Sequence, residues 1–264
     1  MNHETTFRDV QVTASEIEIR RVGINDLTQS LRQGYEDFVA MPSFGVFLTL
    51  TYPLFALLLT LFLVDANLLY LAFPMVAGLT LLGPAISVSL FEMSRRREQG
   101  LEPGWRFAFS FVHSSAFAPI LGLSIVMMLL YVAWLYMAQF IYLGLFAGYS
   151  PESISAFITE ILTTKRGAAL ILYGNAVGFF FAFAALGISV VAFPLLLDKP
   201  TTMVTAVSTS IKVVSSNTLV MAIWGVTVVV LLTAGAFVFL IGLAAVLPIL
   251  GHATWHLYRK IVEP

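Results

Sequence analysis

Polar stretches and unbroken apolar runs take turns along this chain. The residues from Met1 to Asp37 are mixed polar and charged. The apolar runs Phe44–Val64, Leu68–Phe91, Pro119–Ala147 and Ala168–Leu197 follow, and a further one begins at Leu219. A helix that crosses a bilayer needs about 20 apolar residues, because the hydrocarbon core is roughly 30 Å thick and each residue rises about 1.5 Å. The runs are continuous and lack the alternation of barrel strands, so helices are predicted. Asp65, Ala66 and Asn67 predict a tight turn between the first two spans. The third and fourth runs are long enough to tilt or to extend past the headgroups. From Val213 to Tyr258 there is no Asp, Glu, Lys or Arg. From Leu219 onward, a single helix would be about 60 Å long, about twice the core thickness. A hairpin is therefore predicted: Leu219–Thr233, a bend around Ala234–Phe237 that Gly235 permits, and Val238–His256. The expected fold is an all-α polytopic transmembrane bundle of six spans.

Charge orients this bundle. With six spans and both ends in the cytoplasm, twelve of the fourteen basic residues fall inside, and only Lys165 and Arg166 fall outside. A five-span arrangement would strand Arg259 and Lys260 outside as well. Met1–Asp37 lacks the early apolar core of a secretory signal, so the first span is expected to serve as an uncleaved insertion signal. The organisation expected is a polar tail over residues 1–23 and a single membrane domain over 24–264.

Short amphipathic segments precede each pair of spans. Ile24–Met41 repeats Leu27, Leu31, Tyr35 and Phe38 at helical spacing; Pro103–Ser115 carries Trp105, Phe109 and Val112; Thr201–Ser216 carries Val204, Val207, Ile211 and Val214. Breakers close each segment: Pro42-Ser43, then Ser114-Ser115 with Pro119, then Ser215-Ser216-Asn217. The second span of each pair holds a proline near its inner end, at Pro84, Pro194 and Pro248. The pattern reads as three copies of an interfacial helix plus a hairpin. The sizeable external loop, 148–167, predicts a short amphipathic helix on the outer surface. Ser150 would cap it, Pro151 would open it, Ile154, Phe157, Ile158, Ile161 and Leu162 would line one face, and Lys165 and Arg166 would close it.

Composition narrows the function. The chain has 264 residues, 59% hydrophobic and 11% charged, with mean hydropathy +0.90. A soluble domain averages about 25% charged residues, so an ordinary cytosolic enzyme is excluded. No cysteine is present, which removes disulfides, thiolate metal sites and thiol nucleophiles. A net charge of −1 gives no basic domain for nucleic acid. No P-loop, nucleophile elbow or dinucleotide fingerprint occurs. Glu92 sits at the inner end of the second span beside Arg95, Arg96 and Arg97. That cluster fixes topology or meets anionic lipid. Gln139 and Asn175 are the main polar side chains inside the spans and are expected to hydrogen-bond neighbouring helices. With no carboxylate buried in the spans, ion-driven transport loses its usual pointer. His252 and His256 lie four apart on one helix face, and His113 lies on the same side of the membrane. These three are the candidate cofactor residues, able in principle to ligate haem iron; the competing reading is interfacial histidines bonded to carbonyls or headgroups. No cofactor and no metal site is expected.

Three stretches carry a family resemblance. They are Gly174-Asn175-Ala176-Val177-Gly178 with Ile188-Ser189-Val190-Val191 and Pro194-Leu195-Leu196-Leu197-Asp198; the ending Pro248-x-x-Gly251-His252-Ala253-Thr254-Trp255-His256-x-Tyr258-Arg259; and the start Leu31-Arg32-x-Gly34-Tyr35-x-Asp37-Phe38-x-x-x-Pro42. Together they resemble a bacterial family of integral membrane proteins of unknown function, some labelled cytochrome c oxidase subunit I. A true catalytic subunit I needs more spans and more histidine ligands than this chain offers. The label therefore implies at most company with a respiratory oxidase. The expectation is a non-enzymatic protein of the bacterial inner membrane. Its role would be accessory, assembly or scaffold, with membrane lipids and other membrane subunits as partners. A haem or metal carrier is one alternative. A small-molecule or lipid carrier is the other, with a cavity lined by Gln139, Asn175, Tyr131, Tyr136 and Tyr173.

Overall fold

The computed structural model describes residues 17–41, 68–149, 153–237 and 242–262. The predicted first span 44–64, its turn 65–67, the breaker Pro42-Ser43 and the Ser150-Pro151 start all lie outside these residues. Among the described residues the fold is helical, with one isolated bridge pairing Ile19 with Val262.

An amphipathic helix, α1 (Ile24–Ala40), comes first. A discontinuous rod follows, built from α2 (Ala72–Gly78), a 3-10 turn over Leu79–Leu82, α3 (Gly83–Ile86) and α4 (Val88–Glu98). Pro84 has no N–H to give the carbonyl four residues back, at Thr80, which accounts for the tightened turn there. Next comes α5 (Phe117–Phe146), apolar all round. Its 30 residues make a rod of about 45 Å. Ile120, Leu123, Met127, Tyr131, Trp134, Ala138, Tyr142 and Phe146 form its buried stripe, at the three- and four-residue steps of a helix face. The surface helix α6 (Ile154–Thr163) leads into α7 (Lys165–Ser189) and α8 (Ala192–Asp198). Pro194 forces the break between the last two, and the Val191 N–H freed there donates to Ser210 Oγ at 3.3 Å. Helices α9 (Met203–Ser216), α10 (Thr218–Phe237) and α11 (Leu243–Ile261) complete the chain.

Four stretches are long and apolar enough to cross a membrane: Ala72–Glu98, Phe117–Phe146, Lys165–Asp198 and Thr218–Phe237. They match the predicted second to fifth spans. The predicted sixth, 238–256, begins outside the described residues. Its described part, α11, is not among the four, because His252, His256, Arg259 and Lys260 dilute its second half. The helix α10 runs through Phe237, so the predicted bend at Ala234–Phe237 is helical, and residues 238–241 lie outside the described ones. Gly235 and Gly242 then meet so closely that a Cβ on Gly242 would lie 2.6 Å from the Gly235 carbonyl oxygen.

Three local expectations need correction. Pro103–Ser115 is two 3-10 turns, Trp105–Phe107 and Ser110–His113, and not one helix. Ser153, whose Oγ accepts from Ala156 N at 3.1 Å, caps α6 in place of Ser150. Lys165 and Arg166 do not close α6; they open α7 behind its cap Thr164, where Arg166 reaches back to Glu160.

Contacts run between the three stretches that the sequence pattern sets apart and join them in a ring. Each interfacial segment lies on the second hairpin helix of another unit: α1 on α11, the first 3-10 turn on α4, α9 on α7 and α8. The helices α4, α8 and α11 touch one another. They gather at one end of the bundle, the basic end, while α6 sits at the other, against Tyr142 and Phe146.

The interfacial helices are rotated part of the way off their apolar pattern: Leu27 and Val214 are buried and Leu31 and Val207 pack on the core, but the rest of each stripe turns away. On α1 the buried residues are Leu27, Ser30, Gly34 and Asp37, whereas Tyr35 is 56% exposed. On α9 the buried face includes Ala206, Thr209, Ser210 and Val213, and Val204 is 72% exposed. Small and polar residues let these helices approach the ring closely. Tyr35, Val204 and Ile211 are left pointing outward, which suits helices lying in the headgroup layer of a bilayer.

Candidate functional site

The basic end concentrates the polar chemistry of the described residues. One of its buried groups is Asp37, on the inward face of α1. Gly34, one turn earlier, sets the depth: a Cβ there would lie 2.6 Å from both Ala253 N and the Ile249 carbonyl of α11. The close approach carries the Asp37 carboxylate into a cluster drawn from three helices. Ser94 of α4 donates to Oδ2 at 2.5 Å, His256 Nε2 of α11 lies 2.9 Å from the same oxygen, and Arg97 pairs with Oδ1. His252 Nδ1 lies 2.8 Å from Ser94 Oγ. With the hydroxyl proton given to Asp37, that ring nitrogen is the donor to Ser94. Burial alone would raise the Asp37 carboxyl. The hydrogen bonds from His256 and Ser94, with the two imidazoles' charge, outweigh it and hold the group at about 2.

A second cluster joins α4, α8 and α11. Arg259 donates to Glu98 at 3.1 Å and to Asp198 at 3.3 Å, Trp255 Nε1 donates to Glu98 at 3.1 Å, and Tyr258 donates to Asp198 at 2.7 Å. Burial, and then the neighbouring Asp198, push the Tyr258 hydroxyl well above its ordinary range, so it is a fixed donor. In a third cluster Glu92, with 1% of its side chain exposed, lies 2.8 Å from Arg95 and 3.9 Å from Arg96, and accepts from Ser110 at 3.2 Å. Arg96 also covers the Phe107 ring at 4.0 Å.

The predicted site residues divide accordingly. Arg95, Arg96 and Arg97 are engaged inside the chain, with Glu92 and Asp37. His252 and His256 share the Asp37 cluster, while His113 is exposed on a 3-10 turn with no contact joining it to them. Ligation through His252 Nδ1 would require it to give up Ser94. Gln139 does reach another segment, donating to Tyr70 at 3.3 Å. Asn175 does not: its amide donates to the Ile171 carbonyl of its own helix at 2.7 Å, and the residue is exposed. Tyr131 is buried and donates to the Met75 carbonyl, whereas Tyr136 and Tyr173 face outward, so these residues line no common cavity. Among the described residues no group of three or more His, Asp or Glu is disposed to hold a metal ion.

Sequence reasoning missed Asp37, Ser94, Glu98, Asp198 and Tyr258 as cluster members. One signal was present. Gly34 and Asp37 recur on the buried step of α1, within one of the quoted motifs, and their partners Ala253 and His256 lie within another.

No curated protein and no solved structure matches the chain. Of the quoted motifs, the one over residues 174–198 lies inside the region matched by a family, and the two that meet at Asp37 lie outside it. Over residues 72–198, from the start of α2 to the end of α8, the chain matches the family described as predicted integral membrane protein (DUF2189), an uncharacterised membrane family of the kind its motifs resemble.

Proposed function

We propose that this integral membrane protein is a non-catalytic accessory or scaffold subunit of a bacterial inner membrane, with its basic end in the cytoplasm. One observation carries the reading. The buried ionisable groups Asp37, Glu92 and His252 are all taken up by partners within the chain. The spans, by contrast, offer wide apolar faces, with Phe140 at 74% and Phe180 at 69% exposure. The polar chemistry supports the fold, and apolar surface is what remains for others. Such surface suits helix–helix and lipid contacts. The family resemblance makes a respiratory oxidase the first partner to try.

The test is a photo-cross-linking residue placed at Phe180 in native membranes. A discrete protein adduct is expected there, and none from buried Phe193. Adducts with lipid alone would contradict the scaffold reading. Orientation has its own test, because the chain has no cysteine. A single cysteine at exposed Lys212, on the basic end, is expected to resist an impermeant maleimide applied to intact cells. One at exposed Ser155, on α6, is expected to react. The opposite pattern would invert the orientation.

A further inference from the structure

A cleft of about 300 Å³ opens at the basic end between the second 3-10 turn, the start of α5 and the link from α8 to α9. We propose that it binds the phosphodiester of an anionic phospholipid. Three observations support this assignment, and none depends on the accessory role proposed above.

Position comes first. The cleft lies where the apolar rod α5 begins and the apolar rod α7–α8 ends, so it sits at the boundary between hydrocarbon and headgroups. The lining comes second, and it is divided in chemistry. Phe111, Pro119 and Leu196 give an apolar side, while Arg95, Ser115 and Lys199 give a polar one. A lipid has the same division between glycerol–acyl root and phosphate. Charge comes third. Arg95 uses its Nε–H on Glu92, and one N–H from each terminal nitrogen on Glu92 and the Leu197 carbonyl. A guanidinium has five such donors, so two remain for a ligand. Lys199 brings a second cation to the same cleft. Asp198, the acidic residue of the lining, turns its Oδ2 to Tyr258 and Arg259. Of the three consecutive arginines, Arg95 alone lines the cleft.

The test is native mass spectrometry of the full chain in mild detergent. It is titrated separately with dioleoylphosphatidylglycerol, dioleoylphosphatidylcholine and inorganic phosphate. Each basic group near a membrane surface contributes about fivefold in affinity, so phosphatidylglycerol is expected to bind at least about tenfold tighter than phosphatidylcholine. Lys199→Gln is expected to remove about fivefold of that preference. Ser115→Trp, which fills the cleft from an exposed position, is expected to abolish it. Arg106→Gln, an exposed cation outside the cleft, is expected to leave it intact. Equal binding of the two lipids, or a preference that survives Ser115→Trp, overturns the site. Binding of inorganic phosphate without phosphatidylglycerol overturns the lipid as its occupant.

Discussion

Replacing Asp37 with alanine is expected to detach α1 from the ring and to cost about 3 kcal/mol of stability. The carboxylate accepts from Ser94, His256 and Arg97 at once, and its side chain is 3% exposed. Its removal strands the Ser94 hydroxyl and the His252 ring, at 1% exposure each, without their acceptor chain. Arg97 is 42% exposed and can turn to solvent, which keeps the cost below that of a fully buried pair. Asp37→Asn keeps the volume and removes the charge. Its cost follows from the carboxyl being held at about 2 against an ordinary 3.8, which corresponds to about 2 kcal/mol. The sign is that of a depressed acid. The contribution is complete above about pH 4 and is lost as pH falls through about 2. Thermal unfolding in detergent should therefore show wild type and Asp37→Asn converging as pH drops through that window. Equal stability of the two at neutral pH would dismiss the cluster as a structural lock.

The second large effect falls on Gly34. An alanine there must push its Cβ against the α11 backbone at Ala253 and Ile249. Backbone cannot yield as a flexible side chain does, so the helices must separate. A cost of about 2–3 kcal/mol is expected despite the helix propensity that alanine gains. Gly144 on α5 supplies the internal control, because a Cβ there meets nothing. Gly144→Ala is expected to be neutral or slightly stabilising. Unfolding curves that fail to separate the two substitutions would contradict the close α1–α11 contact.

The sequence made the rods legible and hid the clusters, for a physical reason. A span advertises itself through local apolar length, and so Phe117–Phe146 and Thr218–Phe237 fall within a few residues of their predicted starts. The bounds of α1 and α9 were equally readable, because their periodicity is helical. Their orientation was not. In a soluble domain the apolar stripe marks the buried side, but here Val204 and Tyr35 point outward and Thr209 and Asp37 point inward. Next to a bilayer, apolar no longer means interior. The 3-10 turns over 105–113 were missed for a different reason. Trp105, Phe107, Phe109 and Phe111 recur at every second position, which supports no single helical stripe. The candidate site was half visible. His252 and His256 stood out as a pair, but Asp37 lies 219 residues from His256 and Ser94 lies 158 from His252. No local pattern announces contacts at that separation. The histidines invited a haem reading because their acceptor was invisible.

At the basic end, ionisable groups lock α1 onto α11. Hydrogen exchange of the backbone amides of Ile24–Ala40 and Gly251–Tyr258 tests it most directly, in wild type and in Asp37→Asn. The two segments should be protected together in wild type and lose protection together in the variant, by on the order of tenfold or more. Rapid exchange of Ile24–Ala40 in wild type, or protection unchanged by the substitution, would contradict the lock.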